Sequence, residues 1–143
     1  MMNLLFAANL TSSLFLTGLI WTIQCVHYPM FHRLESSNFT EHINFHKGAI
    51  SMLVVPVMTL ELVSSVWLAW TAPSHLIYHQ AGFVLVALIW LITFFVQVPL
   101  HSQLLHGRSE KAINRLVKTN WFRTILWSIK AMLSIIVLYH LLQ

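Results

Sequence analysis

Apolar residues run almost unbroken through four stretches of the chain, Leu4 to Val26, Ala49 to Ala72, Ala81 to Leu100 and Trp121 to Leu142. A hydrocarbon layer about 30 Å thick takes roughly 20 residues of helix to cross, and each stretch is close to that length. Backbone polar groups in lipid must be satisfied within their own segment, so all four are expected to be helical. Helical punctuation lies outside the apolar limits. Asn38-Phe39-Thr40-Glu41 reads as a capping box, Ser109-Glu110 as the start of the last helix, and Ala72-Pro73-Ser74 as a tight turn. The first stretch lacks a basic flank and a small-residue cleavage site, so it is expected to be a retained helix. The expected fold is all-α, an integral membrane four-helix up-down-up-down bundle in a single transmembrane domain over 1–143, with helices about 3–33, 38–72, 75–106 and 109–142.

Polar residues interrupt these stretches at helical spacing. Asn120, Arg123, Trp127, Lys130 and Ser134 fall on one stripe of the last helix. Ser13, Thr17, Ile20, Gln24 and His27 do the same on the first, and Phe94, Gln97 and His101 on the third. Polar groups facing lipid cost several kcal/mol, so these stripes should face the bundle interior and bond one another. Glu61 lies in the most apolar part of the second helix and needs a partner or a proton. Lys130 is the cation able to reach it, in an ion pair pinning helix two to helix four; a proton relay through Gln24, Gln97 and Arg123 is the alternative.

Composition places these helices in a membrane. Hydrophobic residues make up 57% of the chain, charged residues only 8%, and the mean hydropathy is +0.72, values no soluble surface supports. The charge is one-sided. Arg33 and Lys47 flank the first connection, and Arg108, Lys111, Arg115, Lys118 and Arg123 gather around the third, whereas 71–80 has no Lys or Arg. The positive-inside rule then predicts a multi-pass protein of the cell inner membrane with both termini away from the cytoplasm. This bias and the lipid headgroups account for the basic pI, and no stacking motif or basic tail suggests nucleic acid as a partner. The single cysteine, Cys25, cannot form an internal disulfide.

Histidine is the candidate chemistry. His27, His46 and His101 each stand at the same end of an apolar stretch, and therefore at one depth, with Asn120 at that level on the last helix. Imidazole ligates transition metals and haem iron. His42 precedes His46 by one turn, so His27, His42, His46 and His101 form a candidate metal shell, with Glu41 as another possible completion, and His27, His46 and His101 a candidate cofactor site. A hydrogen-bonded network of the same side chains is the competing reading. His32, His75, His79, His106 and His140 read as interfacial. Pro56 and Pro99 each free a backbone carbonyl inside a helix, and Pro29 kinks or ends the first. Trp21, Tyr28, Trp121 and Phe122 read as an interfacial aromatic belt.

Val98-Pro99-Leu100-His101-Ser102-Gln103-Leu104, followed by Asn120-Trp121-Phe122-Arg123-Thr124, resembles small four-helix membrane proteins of largely unknown function that include the anthrone-oxygenase-like proteins. In that group a Pro near the end of helix three precedes a polar residue and a Leu, and a Trp and an Arg open helix four. The polar residue here is His101, where the oxygenase-like members are expected to carry Asn. Two functions stay open. One is an oxidoreductase acting on a lipophilic small molecule such as a quinone or polycyclic phenol, with a metal or haem on the histidines, Arg123 and Asn120 as catalytic residues, and Gln24 and Gln97 orienting the metal ligands. The other is a non-enzymatic small subunit of a larger membrane complex or a homo-oligomer, with membrane lipid as its other partner.

Overall fold

The computed structural model describes residues 2–72 and 75–143. Pro73 and Ser74 of the expected tight turn lie outside the described residues. Four helices long and apolar enough to cross a membrane fill the rest: α1 (Leu4–Arg33), α2 (Phe39–Thr71), α3 (Leu76–Leu104) and α4 (Glu110–Leu141). Each packs on its neighbours in the chain and α4 returns to α1, which closes an up-down-up-down bundle.

Two of the helices change pitch near the same end. In α1 the residues Ile23–His27 form a π-turn just before Pro29, and in α3 the residues Thr93–Gln97 form another just before Pro99. Proline lacks the N–H that would continue the α pattern, and a wider turn upstream absorbs the mismatch. After Pro29, α1 winds into a 3-10 turn, Phe31–Arg33, and stops. Pro56 lies on the outer surface of α2, which continues through it.

The two expected helix starts behave differently. Ser109 caps α4, its Oγ accepting from the N–H of Ala112 at 3.4 Å. Asn38 precedes α2 with φ −112° and ψ 3°, away from the extended conformation a capping side chain uses, and the expected capping box does not form.

Packing is inverted relative to a soluble protein. Large apolar side chains such as Phe45, Met52, Trp70 and Phe95 are exposed, while Asn9, Ser13, Gln24, Glu61, Gln97, Asn120, Arg123, Lys130 and Ser134 are buried. Apolar layers alternate with this polar interior. Phe31, Phe39, Ile43, Leu104, Ile113 and Leu116 close the end bearing the basic loops. Leu16, Ile20, Met58, Ile89 and Trp127 fill the middle, and Phe6, Leu68, Ala72 and Val137 the far end.

Gly82 of α3 admits the stem of Lys130 from α4. A Cβ there would stand 3.0 Å from the lysine Cε and 3.2 Å from its Cδ. The lysine tip is fixed by three hydrogen bonds, so it cannot simply swing aside. Gly82→Val should therefore lower stability by about 1–3 kcal/mol, read as a fall in the unfolding temperature. Gly18→Ala, with nothing within 4 Å of the added carbon, should show no such loss.

Candidate functional site

The buried charges of α2 and α4 meet through α1. Lys130 Nζ donates to Asn9 Oδ1 at 2.7 Å, to Ser13 Oγ at 3.1 Å and to Ser134 Oγ at 2.9 Å, so its three donors have three acceptors. Ser13 in turn donates to Glu61 Oε1 at 2.7 Å, and Trp127 Nε1 donates to Glu61 Oε2 at 3.0 Å. Asn9 also donates to the Glu61 carbonyl and to Ser64 and Ser65. The expected direct ion pair between Glu61 and Lys130 is thus replaced by a serine-bridged one. Ser13 reaches both charges from the neighbouring helix, and the two side chains are not at ion-pairing distance among the described residues.

Trp127 carries this network toward the basic end. Its ring lies under the Arg123 guanidinium, 5.0 Å from ring centroid to Cζ. Arg123 Nη1 donates to Asn120 Oδ1 at 3.2 Å, Asn120 Nδ2 donates to Gln24 Oε1 at 2.8 Å, and Gln24 Nε2 donates to the Val117 carbonyl at 3.2 Å. Gln97 Nε2 donates to Thr119 Oγ1 at 3.0 Å. Two polar atoms in this layer have no partner, Nε of Arg123 and Oε1 of Gln97. Their residues are only 6% and 2% exposed.

The histidines of α1, α2 and α3 come together above this layer, as their shared depth implied, but as a stack. His27 and His46 lie face to face with centroids 4.2 Å apart and planes 28° off parallel, and His46 and His101 are 5.7 Å apart at 21°. A metal is bound in the plane of an imidazole ring, and stacked rings direct their nitrogens into separate planes. His101 has both nitrogens engaged: Nδ1 meets the Gln97 carbonyl at 2.8 Å, and Nε2 meets Tyr28 Oη at 3.4 Å. A carbonyl only accepts, so Nδ1 carries the proton and Nε2 is left as the acceptor for the tyrosine O–H. His42 is exposed beside the stack, lining an outer groove of about 440 Å³ with His27, His46 and Phe45. Among the described residues no three His, Cys, Asp or Glu side chains are grouped to hold a metal ion, so the expected shell of His27, His42, His46 and His101 is not formed as arranged. Nor does the stacked pair leave a gap in which two imidazoles could face one haem iron.

An opening between α2 and α3 leads to the polar layer. It is a cavity of about 150 Å³ whose walls include Val54, Met58, Trp90 and Phe94 and whose polar lining includes Tyr28, Lys47, Gln97, His101 and Arg123 beside the hydroxyls of Ser51 and Thr93. Trp90 Nε1 is a further buried atom without a partner, as are Nε2 of His27 and Nε2 of His46 in the stack. Each helix contributes one titratable side chain: Tyr28 from α1, Lys47 from α2, His101 from α3 and Arg123 from α4.

Several participants depart from what their spacing suggested. Tyr28, expected in the aromatic belt, is buried against His101, whereas Trp21 and Trp121 are exposed and pack edge to face at 5.6 Å. His79, expected at the interface, lines a small cavity beside Lys130. Asn9, Ser64 and Ser65 join the network without standing out in the sequence. Asn9 lies one turn before Ser13 on the same stripe, which was the available signal, and the serines lie one turn beyond Glu61.

No protein-family model matches the chain, and no curated protein and no solved structure is similar enough to count as a match.

Proposed function

We propose that this chain is an integral protein of the cell inner membrane, its termini away from the cytoplasm, that takes a lipophilic small molecule from the bilayer through the α2–α3 opening. The molecule has an oxygen-bearing ring as its head, of the quinone or phenol kind. The observation carrying this reading is a cavity with apolar walls whose polar lining includes Arg123 and Gln97, two residues that each hold a buried side-chain atom without a partner, the donor Nε and the acceptor Oε1. Native proteins rarely leave such atoms unsatisfied, because each costs about 1–3 kcal/mol. A ring oxygen would satisfy the arginine, and a ring hydroxyl the glutamine.

Size narrows the head group. An apolar cavity of roughly 150 Å³ is known to accept benzene, so about 150 Å³ suits a single ring better than a polycyclic phenol. Tyr28 and His101 Nε2 form a proton-accepting pair on the same lining, able to exchange a proton with a ring hydroxyl. An oxidoreductase acting on such a ring would use that pair for its proton step. The stretches that resemble the anthrone-oxygenase-like proteins supply His101 and Arg123 to this cavity and Asn120 beside it.

Quinones quench indole fluorescence, and Trp90 lines the cavity. Titration of a short-tailed, one-ring quinone into the protein in nanodiscs of zwitterionic lipid should give saturable quenching that Trp90→Phe largely removes. Quenching that never saturates and is unchanged in Trp90→Phe would reflect partition past the other tryptophans and would refute the reading.

A further inference from the structure

Charge in the bundle interior does not balance. Lys130 and Glu61 compensate each other across Ser13. Arg123, equally buried, has no carboxylate at ion-pairing distance among the described residues. Its guanidinium meets the Asn120 amide oxygen and the face of Trp127 and lies beside the Tyr28 hydroxyl, none of them a carboxylate. A guanidinium stays ionised in proteins, and an unpaired buried charge costs several kcal/mol. What it lacks is an anion. Arg123 lines the cavity, where Lys47 supplies a second positive charge, and its Nε is without a partner among the described residues.

Resting on the function proposed above, we infer that the site selects the ionised form of its ligand, an oxyanion carried on a lipophilic ring, with the neutral ring bound more weakly. The ligand leaves the proton of one ring oxygen in the aqueous phase and places that oxygen against the Arg123 guanidinium, while a second ring hydroxyl, where the ligand has one, stays protonated toward Gln97. This restores neutrality to the layer that Asn120, Gln24 and Gln97 organise. The Trp90 indole N–H provides a further donor, and the apolar walls hold the ring. The other titratable neighbours of that oxygen are Tyr28, Lys47 and His101, none of them acidic in the way a carboxylate is.

Three ligands of nearly one shape separate charge from fit. At pH 8.5 a para-alkylphenol, with a pKa of about 10, is neutral, its 2,6-dichlorinated analogue, with a pKa of about 7, is ionised, and the methyl ether of that analogue cannot ionise. Binding to the wild-type protein in zwitterionic nanodiscs should favour the ionised phenol over both others by about 10- to 100-fold, the worth of a hydrogen bond to a charged group. In Arg123→Gln that preference should shrink below about threefold. Equal binding of all three by the wild type would overturn the inference while leaving a ring-binding site standing. Binding of none would sink the proposed function as well. Adding phosphatidylglycerol separates the two sources of an oxyanion: if a few mole per cent displaces the ionised phenol, the natural anion is a lipid phosphate and the ring assignment fails. An undiminished affinity supports it. The wild-type comparison is decisive even if Arg123→Gln does not fold.

Discussion

Replacing Glu61 by leucine should destabilise the bundle by about 3–5 kcal/mol, because Lys130 would remain buried without a counter-charge. The lysine would keep its neutral acceptors on Asn9, Ser13 and Ser134, but Ser13 would lose the carboxylate that aligns it, and Trp127 Nε1 would lose its acceptor. The double variant Glu61→Leu/Lys130→Met should recover most of the loss, since replacing a whole buried pair by apolar groups is often close to neutral. Unfolding temperature in one detergent, compared across the two single variants and the double, reads both effects. A Glu61→Leu protein as stable as the wild type, or a double variant no better than the single one, would show that the pair is not a serine-bridged unit.

Filling the cavity should have the second large effect, on binding. Val54 projects from α2 into the cavity wall, and an indole there would take the space of the ligand ring. Val54→Trp is expected to weaken quinone or phenol binding at least ~100-fold, about 2.7 kcal/mol, with little change in unfolding temperature because the added ring enters existing space. Leu53→Trp adds the same ring one residue earlier, beside the outer histidine groove, and should leave binding within about threefold of the wild type. Similar losses in both would mean that the ligand occupies neither place specifically.

The parts legible in the sequence are those that one helix determines by itself. The four apolar runs set the helices, and the spacing of Asn120, Arg123, Trp127, Lys130 and Ser134 placed all five on the buried face of α4. Depth was legible for the same reason, since a fixed rise per residue brings His27, His46 and His101 to one level. What spacing cannot carry is the rotation of rings about their own bonds and the route of a hydrogen bond between helices. The three imidazoles meet as a stack, and the lysine and carboxylate meet across a serine of a third helix. The π-turns before Pro29 and Pro99 add a further reason: each rotates the residues after it, which turns Tyr28 inward. Phe94, placed by simple periodicity on the interior stripe of α3, is exposed at the mouth of the cavity instead.

The opening between α2 and α3 is the centre of this account, and photolabelling tests it most directly. A one-ring phenol carrying a diazirine, irradiated with the protein in zwitterionic nanodiscs and mapped by peptide mass spectrometry, should label the 47–58 segment of α2 and the 90–101 segment of α3. Excess unlabelled ligand should suppress that labelling. Label concentrated around His42 and Phe45 in the outer groove, or spread over the lipid-facing surface and indifferent to competitor, would contradict it.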